Sequence, residues 1–333
     1  MAAKKSLVFL GTPDVAARSL ELLVNASKET DGDFEVKAVV TMPPAPQGRK
    51  KALTRSPVHV LADELDIPVM HPEKAKDPDF LDQLAALRPD LCVTAAYGNF
   101  LPTKFLSIPT YGTLNIHPSL LPLYRGAAPV QRCLENGDTK TGVSVVFTVL
   151  KMDAGPIVRQ VEHELFGEER ADELLMDMFE LGTAQLLDAL PSVWDGSVVR
   201  TNQDDEAATP AHKLSVEDAK LDLRVTNALQ AHNRCRGFAI WPGLWISVQV
   251  GDAAPTRLKI ISTRVLAQEP GSAHVTRELV GVREGKQSVL KVVCGDGSVL
   301  GLTQVQVPGK NVVDARSFVN GLRGQEIWWR ETD

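Results

Sequence analysis

The chain has 333 residues, 44% of them hydrophobic, and a formal net charge of −6. The length predicts two domains and the apolar fraction is that of an ordinary globular protein. The acidic balance excludes a uniformly basic surface, although residues 214–333 carry 15 Lys and Arg against 12 Asp and Glu.

Short apolar strands alternate with amphipathic helices over the first two hundred residues. The predicted strands cover 6–10, 35–41, 90–96, 113–116, 142–149 and 156–161. The predicted helices cover 14–26, 57–65, 78–88, 127–136 and 170–190. This alternation predicts an α/β fold with a doubly wound, mostly parallel, Rossmann-like sheet.

The second part of the chain has a different pattern. A polar stretch at 201–213 is typical of a linker, and a helix is predicted at about 215–235. Short β-like runs with glycine-rich turns follow and predict a small β-barrel; they cover 244–250, 257–267, 278–283, 289–294 and 298–306. The predicted domains are therefore 1–200, a linker at 201–213, and 214–333.

Several site classes are disfavoured by the composition. The four cysteines, Cys92, Cys133, Cys235 and Cys294, form no Cys-x-x-Cys pair, and the histidines have no metal-ligand spacing. We therefore expect no disulfide framework and no metal. No apolar stretch reaches membrane length, and the first predicted strand begins near Ser6, so no targeting segment is expected.

The first strand-to-helix turn argues against a dinucleotide site. Such a site needs Gly-x-Gly-x-x-Gly, because the backbone must approach a pyrophosphate closely. Here the turn is Gly11-Thr-Pro-Asp14, with a single glycine and a proline. NAD binding is disfavoured despite the similar predicted architecture.

The most informative segment runs from Asn115 to Arg132. Asn115 and His117 are two residues apart at the end of a predicted strand, so their side chains project from one face. The amide can donate a hydrogen bond to a carbonyl oxygen, and the imidazole can exchange a proton near neutral pH. Pro118 and Pro122 restrict the loop that follows.

Asp153 follows the apolar run 142–149 and precedes a turn at Ala154-Gly155-Pro156. Ligands of open α/β sheets bind beyond the carboxyl ends of strands, where all three of these side chains fall. A carboxylate there can orient the imidazole. Taken singly, an Asn-x-His is more often structural and an Asp before Gly is more often a turn residue. Together with the intervening loop they indicate acyl transfer with oxyanion stabilisation.

This segment resembles the signature of folate-dependent formyltransferases. Its version, Ser-Leu-Leu-Pro-x-Tyr-Arg-Gly-Ala-Ala-Pro-Val-Gln-Arg, is similar to that of the methionyl-tRNA formyltransferases, and the likeness runs over almost the whole chain. The resemblance implies an enzyme that transfers the formyl group of 10-formyltetrahydrofolate to the α-amino group of methionyl initiator tRNA. It also implies an OB-fold-like tRNA-binding domain after the catalytic domain. Asn115, His117 and Asp153 would be the catalytic residues.

The resemblance also assigns binding residues. The folate would lie near Tyr97, Gly98, Leu101, Ser119, Leu120, Leu121 and Pro122. The tRNA would contact a basic loop and cations of the second domain: Arg49, Lys50, Lys51, Arg55, Lys213 and Lys310. Without the resemblance, such a short charge run would be interpreted as solvated surface. Neither DNA nor a membrane is an expected partner, and the chain is expected to be a monomer.

Other functions stay open at this point. Glycinamide ribonucleotide formyltransferases, formyltetrahydrofolate hydrolases and nucleotide-sugar formyltransferases share the Asn-x-His and Asp set. An RNA-binding protein with an inactive transferase domain is the non-enzymatic alternative. The sequence around Ala95 and Asn115 is similar to that of plant and algal organellar formyltransferases. That predicts a mitochondrion or plastid if the protein is nuclear-encoded, and otherwise the bacterial cytoplasm.

Overall fold

The computed structural model describes residues 4–29, 32–47, 52–267, 277–284 and 287–331. The chain divides into two compact units that are not continuous in sequence. Unit 1 comprises residues 1–129, 140–164 and 174–211, and unit 2 comprises 130–139, 165–173 and 212–333. The predicted bounds, with a linker at 201–213, do not follow this division and stay a prediction of the domain organisation.

The N-terminal strands and helices alternate as expected. The strands are β1 (Lys5–Gly11), β2 (Phe34–Val40), β3 (Ala45–Gln47), β4 (Ala52–Thr54), β5 (Val69–Met70), β6 (Leu91–Ala95), β7 (Thr113–His117), β8 (Arg125–Gly126), β9 (Lys140–Phe147), β10 (Ile157–Glu164) and β11 (Pro210–Ala211). The helices are α1 (Asp14–Ser27), α2 (Pro57–Glu64), α3 (Pro78–Leu87), α4 (Thr103–Leu106), α5 (Pro129–Asn136) and α6 (Ala171–Trp194).

Unit 1 is built on a seven-stranded sheet with the order β10-β9-β7-β6-β1-β2-β5. The pairs from β7 to β5 are parallel, and β9 and β10 are added antiparallel beyond β7. Phe9 packs with α1, α2 and α6 on one face of the sheet, while Val8 packs with α3 and α4 on the other. Burial on both faces explains why β1 is a continuous apolar run. The predicted doubly wound, mostly parallel sheet is confirmed.

Unit 2 is an antiparallel barrel with the strand order β14-β15-β16-β13-β12-β18, and β17 also pairs with β16. Residues just before β14 bond to β18, through Leu279 N to Ile327 O at 2.8 Å, so the sheet nearly closes on itself. The predicted β-barrel is confirmed. Its elements are α7 (Ala228–Gly237), β12 (Leu244–Val250), β13 (Thr256–Leu266), β14 (Val280–Glu284), β15 (Gln287–Val293), β16 (Val299–Gln306), β17 (Val313–Asp314), α8 (Ala315–Gly321) and β18 (Ile327–Arg330).

The helix predicted at 215–235 is wrong in its first half. A short 3-10 turn occupies Glu217–Ala219, and α7 begins only after Asn227, whose side chain forms a capping box with Gln230. The Asp218 carboxylate accepts hydrogen bonds from the backbone and hydroxyl of Ser215 at 2.7 and 2.9 Å. Such local side-chain bonds compete with helix formation.

Candidate active site

Strand β7 places Asn115 and His117 at the carboxyl end of the sheet, on the same face. Their neighbours are set by the register: Asn115 pairs with Thr94 of β6, and His117 pairs with Ser144 of β9. Because β6 is parallel to β7 and β9 is antiparallel, this end of β7 adjoins the loop that follows β6 and the first half of β9. The predicted juxtaposition of the amide and the imidazole is therefore present.

The Asn115 amide is oriented by a buried hydroxyl. Thr94 Oγ1 donates to Asn115 Oδ1 at 2.7 Å, and Thr94 is only 6% exposed. With its carbonyl oxygen occupied, the amide presents its Nδ2 hydrogens as the donor available to a substrate. Sequence analysis missed Thr94, because nothing in the strand Leu91–Ala95 marks it as a partner of Asn115.

His117 is buried, and its two ring nitrogens have different partners. Nε2 lies 2.9 Å from the carbonyl oxygen of Tyr124, which can only accept, so Nε2 carries the hydrogen. Nδ1 faces the Asp153 carboxylate, with 3.8 Å to Oδ1. Nδ1 is therefore the nitrogen left to take up a proton, and Asp153 is placed to stabilise the positive charge that results.

The Asp153 carboxylate is held by the backbone of the loop beyond β7. Its Oδ2 accepts from the Gly126 N–H at 2.9 Å, and its own backbone is left-handed with φ 49°. Gly126 has φ 133°, and a Cβ there would lie 2.5 Å from the Ala211 carbonyl oxygen. Only glycine fits this position, where its N–H reaches Asp153.

The loop between His117 and Gly126 is held by hydrogen bonds to two side chains of the sheet, Ser144 of β9 and Gln160 of β10. The Ser144 hydroxyl donates to Ser119 O at 2.7 Å and accepts from Leu121 N at 3.1 Å. Gln160 Nε2 donates to both Leu121 O and Ser144 Oγ at 2.8 Å. Among the residues predicted to bind folate, Ser119 and Leu121 are thus buried in the scaffold, whereas Leu120 and Pro122 are partly exposed.

The loop after β6 carries the other predicted folate residues. The side chains of Tyr97 and Leu101 are 4% and 7% exposed and belong to the apolar cluster on the α3 side of the sheet. Burial raises the pKa of the Tyr97 phenol. Gly98 has φ 97°, and Thr12 Oγ1 donates to Tyr97 O at 2.8 Å. Because the Tyr97 and Leu101 side chains pack into the core, the part of this loop available to a ligand is its backbone.

Exposed apolar side chains flank the site residues along the chain. They are Phe100 after β6, Leu123 beyond β7, and Val149, Leu150 and Met152 before Asp153. Phe100 and Met152 are each 61% exposed. Exposed apolar groups in the loops around a polar centre are typical of sites for flat, partly apolar ligands.

Three of the six residues predicted to contact tRNA lie within the described part of the chain. Arg49, Lys50 and Lys51 lie outside the described residues. In unit 1, Arg55 forms an ion pair with Asp63 and its side chain is 57% exposed. In unit 2, Lys213 and Lys310 are exposed. Exposure is compatible with phosphate contact and equally with an ordinary solvated surface.

Within the described part of the chain, no group of three or more His, Cys, Asp and Glu side chains is arranged to hold a metal ion. None of the helices in those same residues is long and apolar enough to cross a bilayer.

Comparison with known proteins decides the family. The formyl transferase family matches residues 4–190, and the formyl transferase C-terminal domain family matches residues 213–323. The methionyl-tRNA formyltransferase of Lactobacillus acidophilus is 35% identical over 327 residues, which is 97% of this chain and 98% of that protein. The chain belongs to the methionyl-tRNA formyltransferase family. Among its relatives are also proteins of that name from Listeria monocytogenes and Geobacter sulfurreducens.

Solved structures share the fold at low identity. An N-formyltransferase from Helicobacter canadensis, in complex with folinic acid and dTDP-3-aminofucose, has a TM-score of 0.59 and 15% identity, covering 90% of this chain and 98% of that one. HypX from Aquifex aeolicus with tetrahydrofolic acid has a TM-score of 0.60 and 15% identity, covering 96% of this chain. This chain spans 47% of HypX. The predicted likeness to plant and algal members has no support in these bacterial relatives.

Proposed function

We propose that this protein transfers the formyl group of 10-formyltetrahydrofolate to the α-amino group of methionyl initiator tRNA, giving formylmethionyl-tRNA for translation initiation. The observation that carries the proposal is that β7 places Asn115 and His117 on one face, and that His117 Nδ1 faces the Asp153 carboxylate at 3.8 Å. Full-length similarity to methionyl-tRNA formyltransferases supports the choice of acceptor. The bacterial origin of the relatives supports the bacterial cytoplasm as its compartment.

Each residue of the set has one role in the proposed reaction. Asn115 Nδ2 donates to the formyl oxygen, which becomes negatively charged when the amine adds to the formyl carbon. His117 Nδ1 takes the proton that the amine loses, and Asp153 stabilises the imidazolium. The bond from the formyl carbon to the folate nitrogen then breaks, and His117 returns the proton to that nitrogen. No step needs a metal.

The exposed apolar side chains in the loops after β6 and β9 support folate as the formyl donor, because a pterin is flat and largely apolar at its faces. Two solved relatives of the same fold were obtained with folates, folinic acid in one and tetrahydrofolic acid in the other. We place the ring near Gly98, Leu120 and Pro122, with Tyr97, Leu101, Ser119 and Leu121 supporting those loops from inside. The tRNA contacts are assigned to Arg49, Lys50, Lys51, Arg55, Lys213 and Lys310.

The test offers 10-formyltetrahydrofolate and four acceptors: methionyl initiator tRNA, glycinamide ribonucleotide, a dTDP-linked amino sugar, and buffer alone. Formylmethionine recovered only from the charged tRNA is the expected product. It should be lost in Asn115→Ala and Asp153→Ala, and retained in Asn202→Ala, an exposed amide used as the matched control. Folate turnover without a tRNA product would overturn the proposed acceptor.

A further inference from the structure

We propose that Gln203 is a positioning residue for formyl transfer, because its side-chain amide fastens the turn of Asp153 to the loop that holds His117. The inference rests on the proposed function for the identity of the reaction only. Gln203 lies in the stretch that the sequence presents as a linker, yet it is half-buried within unit 1. No role for it follows from the composition of that stretch.

The amide of Gln203 makes four hydrogen bonds. Its Nε2 donates to the carbonyl oxygens of Asp153 and Gly155, both at 2.7 Å. Its Oε1 accepts from Arg125 Nε at 3.0 Å and from Arg125 Nη2 at 2.7 Å. An amide has two hydrogens to donate and two lone pairs on oxygen, so its bonding capacity is fully used by these contacts.

The turn that carries Asp153 requires such support. The left-handed backbone of Asp153, φ 49°, is sparsely populated for a residue with a side chain and persists only where its surroundings hold it. A Cβ at Gly155 would lie 1.6 Å from the Phe147 carbonyl oxygen, so the turn closes tightly against the end of β9. Gln203 binds this turn through the carbonyls on either side of Ala154.

The contacts form a closed ring around the carboxylate. Gly126 N–H bonds directly to Asp153 Oδ2, and the preceding residue, Arg125, reaches the Asp153 backbone through Gln203. Two consecutive loop residues therefore fix both the side chain and the main chain of Asp153. The same loop supplies the Tyr124 carbonyl that holds His117 Nε2. The position of Asp153 relative to His117 depends on this ring.

Asp205 extends the ring towards solvent. It bonds Arg125 Nη1 at 2.7 Å and Lys151 Nζ at 2.5 Å. Lys151 and Asp205 are both mostly exposed, so we assign this pair little energetic weight. Gln203 is the member whose loss should release the turn, because among the described residues it alone bonds both Arg125 and the Asp153 backbone.

The experiment compares Gln203→Ala and Gln203→Glu with the wild type and with Asn202→Ala as control. Steady-state formylation gives kcat and KM for both substrates, and hydrogen exchange gives the protection of the Gly126 amide. We expect kcat to fall about ten- to a hundredfold in both variants, since misplacement by about 1 Å has effects of this size. KM should stay within about threefold, and the Gly126 amide should exchange faster.

Gln203→Glu separates the two halves of the contact. It keeps an acceptor for Arg125 but has no hydrogens for the Asp153 and Gly155 carbonyls, so activity close to wild type would overturn the proposal. Unchanged exchange at Gly126 in Gln203→Ala would also overturn it, as would a loss confined to the melting temperature. If the wild-type protein does not formylate tRNA, the exchange result still decides the role of Gln203, and only the proposed function fails.

Discussion

His117 Nε2 lies 2.9 Å from the carbonyl oxygen of Tyr124, a backbone atom of the loop that also holds Asp153. A carbonyl cannot donate, so the neutral imidazole has its hydrogen on Nε2. Nδ1, 3.8 Å from the carboxylate, is left without one. The loop therefore selects the tautomer, and with it the nitrogen that exchanges protons.

The tautomer of His117 can be measured by NMR. Long-range nitrogen–proton correlation spectra of 15N-labelled protein should report the Nε2–H form of His117 at alkaline pH. The His117 signals are assigned by their loss in His117→Asn. A hydrogen on Nδ1 would contradict the proposed proton route. His212, which is exposed, provides an internal comparison.

Thr94→Val should lower activity without contacting substrate. The substitution keeps the shape of the side chain but removes the hydroxyl that donates to Asn115 Oδ1 at 2.7 Å. The amide can then rotate, and we expect kcat to fall about tenfold, against about a hundredfold or more for Asn115→Asp, which removes the donor itself. Calorimetry should show a cost of about 0.5–1.5 kcal/mol for the lost bond. A kcat equal to wild type would contradict the orienting role of Thr94.

Asp153→Asn tests the charge opposite His117 with little change in shape. The amide oxygen can still accept from Gly126 N–H, so the loop should keep its path. Without the carboxylate the imidazolium loses its counter-charge, and we expect kcat to fall by about a hundredfold or more with little change in the KM for folate. An unchanged kcat would remove Asp153 from the proposed mechanism.

Gly126→Ala should damage the site through the backbone. The new Cβ would meet the Ala211 carbonyl oxygen at 2.5 Å, and φ 133° is unfavourable for alanine. The backbone must shift, which withdraws the N–H from Asp153, so we expect kcat and stability to fall together. Gly196→Ala is the control, because its φ is also positive at 79° but its Cβ would meet no atom within 4 Å. Equal activities of the two variants would contradict the role given to Gly126.

A stability change with pH is predicted from two histidines, His232 in unit 2 and His59 in unit 1. Burial lowers the pKa of His232 from its usual value of 6.5, and its Nδ1 lies 3.0 Å from Thr263 Oγ1. The unfolded chain therefore binds the proton more readily, and stability should be lost as the pH falls below about 6.5. Melting temperatures across pH 5–8 should show this slope. The slope should decrease in His232→Asn and persist in His212→Asn. It should not vanish, because burial also lowers the pKa of His59.

The sequence by itself determined the sheet and the barrel, and it predicted the chemistry at Asn115, His117 and Asp153. Alternating apolar runs specify buried strands, and spacing by two places the amide and the imidazole on one face. These are properties of neighbouring residues, so they can be inferred locally. The family resemblance added the substrates, which local patterns do not contain.

Only the tertiary structure decided how those three residues are held. Thr94 is 21 residues from Asn115, and Gln203 is 50 from Asp153, and no local pattern encodes pairings at that separation. The stretch 201–213 looks like a linker because its residues are polar. Folding brings Gln203 onto the turn of Asp153, where its amide donates to backbone carbonyls. It brings Thr209 onto the loop beyond β7, where its hydroxyl accepts from the Tyr124 N–H. A solvated linker and a segment that hydrogen-bonds to the loops of a site can have the same polar composition. Only the contacts in the folded protein distinguish them.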